Sequence, residues 1–283
     1  MRPQEQDGRL NGLAESSYTM ASPLSSVASF VQKTLVIAEL EVRKLRHDPT
    51  ELLMRAVQPA LWLVIFGEVF TKTKAIPTPG QMRYLDFIAP GILAQSGLFI
   101  AIFSGITIIW ERDLGIIHKF LVSPTSREAL ALGKALAGGL RALSQVVVIY
   151  LLSIALGVKL DWNPLGLVGV LVAVVLAAAT FCAFSLIIAF IVKTRERFMG
   201  IGQLLTMPFF FASSAIYPIS IMPRPLQVIA HGNPLTYEVD ALRTLMLPSG
   251  TSTYGLGMDF GVLLFSTALL VTIAAQLYPR AAT

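Results

Sequence analysis

Six runs of apolar residues, at about 53 to 71, 86 to 110, 135 to 157, 165 to 192, 199 to 221 and 259 to 278, are separated by short polar stretches. Each is long enough to cross about 30 Å of hydrocarbon as a helix rising 1.5 Å per residue. The pattern predicts an all-α membrane protein with six transmembrane helices and both ends on one side. Pro59 and Glu68 in the first run and Pro208 in the fifth make these the two spans most open to bending or partial burial. Counts of five or seven spans stay open as alternatives.

Two further helices follow from weaker patterns. Val31, Leu35, Ala38, Val42 and Leu45 recur at helical spacing, with Lys33, Glu39, Arg43, Lys44 and Arg46 opposite, and Asp48-Pro49 stops the run. Residues 30–48 therefore read as an amphipathic helix, either lying in the interface or packed conventionally. Between Ile221 and Asp259, Asn233-Pro234 supplies an N-cap and a proline at the first helical position. Leu235, Val239, Leu242 and Met246 then share a face, and Pro248-Ser249-Gly250 closes the segment, so this helix is expected to lie on the membrane or cap the bundle. The first 29 residues are polar and rich in serine, without the apolar core of a signal peptide. The expected organisation is a disordered cytoplasmic tail over 1–29, the amphipathic helix over 30–48 and one transmembrane domain over 53–280.

Composition agrees with bilayer as solvent: 54% of the 283 residues are hydrophobic and 14% charged, with a mean hydropathy of +0.68. Charge orients the chain, because Lys and Arg are retained on the cytoplasmic side. Termini inside leaves only Lys72, Lys74, Arg83, Lys159, Arg224 and Arg243 of the 22 basic residues outside. The net charge of +5 is thus a topological signal, and nucleic acid is not an expected partner.

Candidate chemistry is sparse. Cys182 is the single cysteine and reads as a small buried apolar residue, and His47, His118 and His231 are isolated, so no metal site is expected. Gly133-Lys134 is the nearest approach to a phosphate-binding loop, but Ala135 stands where Ser or Thr is required and Glu128 where the leading glycine belongs. Ionisable groups are almost absent from the spans, against a proton or ion relay. Neutral polar residues do occur there: Gln95, Ser96, Ser104, Gln145, Gln203 and Thr206. They can bond to neighbouring helices or face a passage.

The densest charged and amphipathic stretch, Trp110 to Lys134, lies between the second and third spans, on the cytoplasmic side. Its Glu111-Arg112-Asp113, Gly115, Leu121, Ser123-Pro124 and Gly133-Lys134 resemble the cytoplasmic loop of type-2 ABC exporter permeases. On the other side, Tyr217-Pro218, Met222-Pro223, Leu226, Asn233-Pro234-Leu235-Thr236-Tyr237 and Asp240-Ala241-Leu242-Arg243 look like the outer loop of the daunorubicin-resistance type of permease. The resemblance spans about residues 30 to 280, and polysaccharide exporters share the architecture.

That resemblance implies a coupling helix docking into a separate ATPase. Ile116, Ile117, Phe120 and Leu121 would form its apolar face, with Arg112, Asp113 and Lys119 as polar contacts, and Glu111 and Gly115 belong to the same coupling segment. It further implies two copies of an ATPase subunit that hold ATP and Mg, a second permease chain forming a homodimer, no cofactor or catalytic residue in this chain, and a multi-pass location in a bacterial plasma membrane. By analogy the second and fifth spans line the passage, with Gln95, Phe99, Gln203, Thr206, Phe210 and Phe211 as candidates. Ile116 and His118 stand where the family often has Thr and Glu, so a capping or salt-bridge role does not carry over to them. Three functions remain in view: export of amphiphilic drugs or natural products, export of a lipid-linked glycan or glycolipid, and a membrane enzyme or passive channel.

Overall fold

A computed structural model describes residues 57–79, 82–117, 127–192 and 194–279. The tail, the 30–48 helix, the first four residues of the first span and Lys119, Phe120 and Leu121 lie outside the described residues. Those described are helical, with no strand among them. α1 covers 57–73, with a π-helical segment at Trp62–Gly67 and a last stretch at Glu68–Thr73. α2 is Tyr84–Ser104 and α3 is Ile106–Asp113, one span bent at Gly105. α4 is Arg127–Ala155, α5 Pro164–Ile191, α6 Arg195–Phe211, α7 Arg224–His231, α8 Pro234–Met246 and α9 Leu256–Leu277.

Four of the described stretches are long and apolar enough to cross a membrane: Tyr84–Asp113, Arg127–Ala155, Pro164–Ile191 and Leu256–Leu277. They correspond to the second, third, fourth and sixth expected spans. α5 is their hub, packing against α2, α4, α8 and α9. Small residues let it approach closely: a side-chain carbon at Gly138 would strike Cys182, and one at Gly139 the Val175 backbone. Thr180 of α5 and Thr267 of α9 share a hydrogen bond of 2.7 Å, replacing water the bilayer cannot supply.

The ends of α3, α5 and α9 and the starts of α4 and α6 gather at one pole, called lower here. Phe190 and Tyr278 pack edge-on there, their centroids 5.2 Å apart. The upper pole holds the end of α1, the start of α2 and the α4–α5 and α8–α9 connections. Arg83 binds Asp86 there with Nε and Nη2 at 3.1 and 2.8 Å, and Asp161 N–H donates to Met246 O at 2.7 Å. The hydrogen bonds that Arg83 donates to Asp86 raise its pKa above the ordinary value.

Two expectations are corrected. The fifth apolar run is not one helix from 199 to 221, because α6 stops at Phe211. Its bare terminal carbonyls are taken by another segment: Asn233 Nδ2 donates to Phe209 O at 2.7 Å and to Ala212 O at 2.9 Å. The chain then climbs to the upper pole, where Tyr84 Oη reaches Ile216 O at 2.9 Å, and α7 brings it back to Asn233.

α8 is the second correction, for it neither lies on the membrane nor caps the bundle. Leu235, Val239, Leu242 and Met246 are fully buried, as expected of a shared face, but so nearly are Glu238, Asp240 and Arg243 on the others. The helix is inserted among α2, α5 and α9. Asp240 and the Arg243 Nη2 group find hydrogen-bond partners inside the protein, which offsets part of the cost of insertion, while Thr236 Oγ1 and Arg243 Nε have none among the described residues.

Candidate functional site

At the lower pole α3 carries Trp110, Glu111, Arg112 and Asp113 away from the bundle, and each is placed by the chain itself. The bend above them arises where Gly105 N–H donates to Ser185 Oγ at 3.1 Å, and a side chain at Gly105 would collide with Ser185 and Phe198. Both Glu111 carboxylate oxygens meet Lys134 Nζ, at 2.7 and 2.5 Å, with about a fifth of each side chain exposed. Asp113 Oδ2 accepts from Arg195 Nη2 at 2.7 Å in a more exposed pair, and the same guanidinium sits 5.6 Å from the Trp110 ring centroid. Arg112 Nη1 donates to Val192 O at 3.4 Å. Glu111 thus fastens the segment to α4, Asp113 to α6 and Arg112 to the end of α5.

Gly115 ends this helical stretch at φ +68°, its N–H donating to Arg112 O at 2.9 Å. Open space surrounds the position where a Cβ would stand, so conformation rather than crowding favours glycine here. Ile116 and Ile117 resume helical geometry directly before residue 118. Ile117 is fully buried, in the same apolar cluster as Ile108, Ile109, Ala131 and Ala135, so it anchors the segment to the bundle instead of offering an outward face. Ile116 remains partly exposed. In the sequence Arg195 is only one of the basic residues left on the inner side by the charge count, and Lys134 reads as part of a motif. Their pairing with Asp113 and Glu111 crosses 82 and 23 residues, beyond any periodic signal.

The outer motif resolves into a set of clamps. Tyr217 Oη donates to Phe211 O at 2.8 Å, and Pro218 precedes the 3-10 turn Ile219–Ile221. Asn233 also accepts Leu235 N–H at 3.0 Å, with Pro234 at the first position of α8, as expected of the N-cap. Tyr237 Oη donates to His231 O at 2.8 Å. Asp240 Oδ2 accepts from Ser252 Oγ, Thr253 N–H and Tyr254 N–H at 2.9, 2.8 and 3.1 Å. Arg243, counted by charge among the outer basic residues, is instead 6% exposed. Its guanidinium lies 3.9 Å from the Phe87 ring centroid and donates to Ser214 O at 2.8 Å.

The six residues expected along a passage are not brought together. Gln95 and Phe99 of α2 line a cavity of about 100 Å³ with Ser96, with Gln58 and Pro59 of α1, and with Gln145 of α4. Thr206 is buried and donates to its own helix, at Gly202 O, while Phe210 is buried edge-on to Trp62 at 5.6 Å. Gln203 and Phe211 are exposed on α6. Gln145 was read as polar without a place on the path, and Gln58, at the edge of the first run, was missed.

The family model described as ABC-2 type transporter matches residues 32–247. A transport permease named ycf38 from Cyanophora paradoxa is 30% identical over 224 residues, 78% of this chain and 77% of that one. The daunorubicin resistance ABC transporter permease protein DrrB1 of Streptomyces coeruleorubidus is 25% identical over 253 residues, covering 89% and 87%. Nodulation protein J of Rhizobium meliloti (strain 1021) is 24% identical over 199 residues, covering 67% and 74%.

Proposed function

Since the chain belongs to the ABC-2 type transporter family, we propose that it is the membrane subunit of an exporter driven by a separate ATPase. It would move amphiphilic drugs or natural products out of the cytoplasm or inner leaflet. Two ATPase copies holding ATP and Mg would act on a permease homodimer in a bacterial plasma membrane. In this reading the lower pole is cytoplasmic, both termini lie on that side, and α1 and α6 complete six passes together with the four long apolar stretches.

The observation that carries the reading is the fastening of residues 110–117 to α4 and α6. A displacement applied between Ile117 and Arg127 has two rigid routes into the bundle, through Glu111 to Lys134 and through Asp113 to Arg195. Coupling requires ATP and cargo to favour two conformations unequally, and a docking element that moves two helices at once supplies that link.

A second reading keeps the machine and changes the cargo to a lipid-linked glycan or glycolipid. The uncharged, amide-rich cavity at Gln58, Gln95 and Gln145 favours it.

Inverted vesicles holding the chain and its ATPase should accumulate a fluorescent amphiphilic drug on addition of ATP. A labelled glycolipid in a parallel arm separates the two cargoes. Solute movement by the purified chain alone in liposomes, with neither ATPase nor ATP, would overturn the exporter reading.

A further inference from the structure

Within the cavity between α1, α2 and α4 the hydrogen-bonding inventory does not close. Gln95 and Gln145 are 2% and 1% exposed. Nε2 of both, and Oε1 of Gln145, have no partner among the described residues. Ser96 Oγ is already committed as a donor, to Ile92 O at 2.8 Å, and keeps its lone pairs.

Depth makes the open valences unusual. Gln95 lies eleven residues below the top of α2 and Gln145 ten below the top of α4, about 16 and 15 Å at the helical rise. Both sit near the middle of an apolar layer about 30 Å thick, where bulk water is absent and buried polar groups are ordinarily paired. Among the described residues, the wall of the cavity they line, about 100 Å³, has no ionisable side chain. Phe99 presents an aromatic ring beside the amides.

We propose that this cavity seats a neutral, hydroxyl-bearing group of an amphiphilic ligand, a sugar ring being the representative case. The unpaired atoms offer N–H donors from two amides and one carbonyl acceptor. A hydroxyl can accept from the first and donate to the second, whereas a carbonyl ligand leaves Gln145 Oε1 unmet. A phosphate or ammonium group finds no countercharge among the described wall residues and would be stripped of water without compensation from them. Phe99 supplies an apolar surface for the C–H face of a ring. As a stage of export, the seat rests on the exporter reading above; as a binding site it stands on the cavity alone.

The test uses the full chain in lipid nanodiscs and an octyl glucoside carrying a diazirine near its sugar. An octyl phosphocholine with the same diazirine is the control. Peptide mapping should place the glucoside label on the stretches around Gln95 to Ile100 and around Gln145, and excess unlabelled octyl glucoside should lower it at least fivefold. Gln145→Leu and Gln95→Leu should each reduce labelling at least fivefold, with Gln145→Asn retaining most of it. Neither leucine variant should melt below the wild type, because each removes at least one buried amide atom that lacks a partner.

Equal labelling by the phosphocholine probe, indifference to the leucine variants, or no label at these stretches, as for a cavity that holds water only, would overturn the seat. A long-chain glycolipid with the same photoreactive group, built into the disc, reports the source. Labelling by both sugars supports entry from water and from the leaflet, and labelling by the glycolipid alone supports entry from the leaflet. Photolabelling needs no ATP, so it separates from the exporter reading. Labelled seats without ATP-driven uptake in vesicles would count against the exporter, and uptake unchanged by leucine variants that no longer label would overturn the seat as a stage of export while leaving it a binding site.

Discussion

Glu111 and Gly115 do different work within five residues of each other. The Glu111–Lys134 pair is about a fifth exposed, so solvent screening keeps its contribution modest, on the order of 1 kcal/mol. Its larger effect is geometric, since it fixes where α3 sits against α4. Glu111→Ala is therefore expected to lower ATP-dependent uptake in vesicles several-fold with little change in the amount inserted. Exchanging the charges, Glu111→Lys with Lys134→Glu, should recover part of that loss, and no recovery would show that the pair is not the connection. Gly115 at φ +68° tolerates alanine at a cost of about 1 kcal/mol. Gly115→Pro is a stronger break, because the proline ring holds φ near −65°. It should abolish uptake while the protein still inserts, whereas Gly115→Ala should keep most activity. The charges of this segment were visible in the sequence, but their partners were not. Asp113 and Arg195 are brought together only by the packing of α3, α5 and α6, which no local spacing encodes.

Among the helices, α8 carries the clearest lesson. Asn233 makes three hydrogen bonds, to Phe209 O, Ala212 O and Leu235 N–H, and is 3% exposed. Asn233→Ala strips two carbonyls at the end of α6 and a cap from the start of α8. The expected loss is about 2–4 kcal/mol, from buried groups left unpaired together with a missing N-cap. A fall of several degrees in the thermal midpoint in detergent checks it, and an unchanged midpoint would contradict the clamp. The N-cap itself was legible from Asn233-Pro234. The placement of the helix was not, since a stripe at Leu235, Val239, Leu242 and Met246 is equally suited to a membrane surface and to a core. What decides between them is what the other faces meet within the protein, and Asp240 bonds 12 to 14 residues ahead while Arg243 reaches 29 residues back to Ser214. The long spans were easier, because a run such as Pro164–Ile191 has no alternative solvent but lipid or protein. α6 was harder: apolarity continues past Phe211, and only Asn233, 22 residues further on, marks where the helix stops.

For the whole molecule, the two poles and the proposed orientation make an accessibility experiment decisive. Lys72 and Arg197 are both exposed, at opposite poles. Native Cys182 is buried, so it should stay silent towards a membrane-impermeant thiol reagent. Lys72→Cys should label from outside intact cells, and Arg197→Cys only after the membrane is opened or in inverted vesicles. The reverse pattern would invert the topology and remove the lower pole from reach of a cytoplasmic ATPase. α6 is held at both of its ends. Arg195 ties its foot to Asp113, Asn233 ties its head to α8, and between them Gln203, Leu204 and Phe211 face away from the bundle. No hydrogen bond described here involves the side chains of those three outward residues. Whatever rests against that flank, whether lipid, cargo or a second copy, can be exchanged for another without breaking one bond within the chain. The helix is mounted like a bar between two posts, with an open side that carries none of its fastenings.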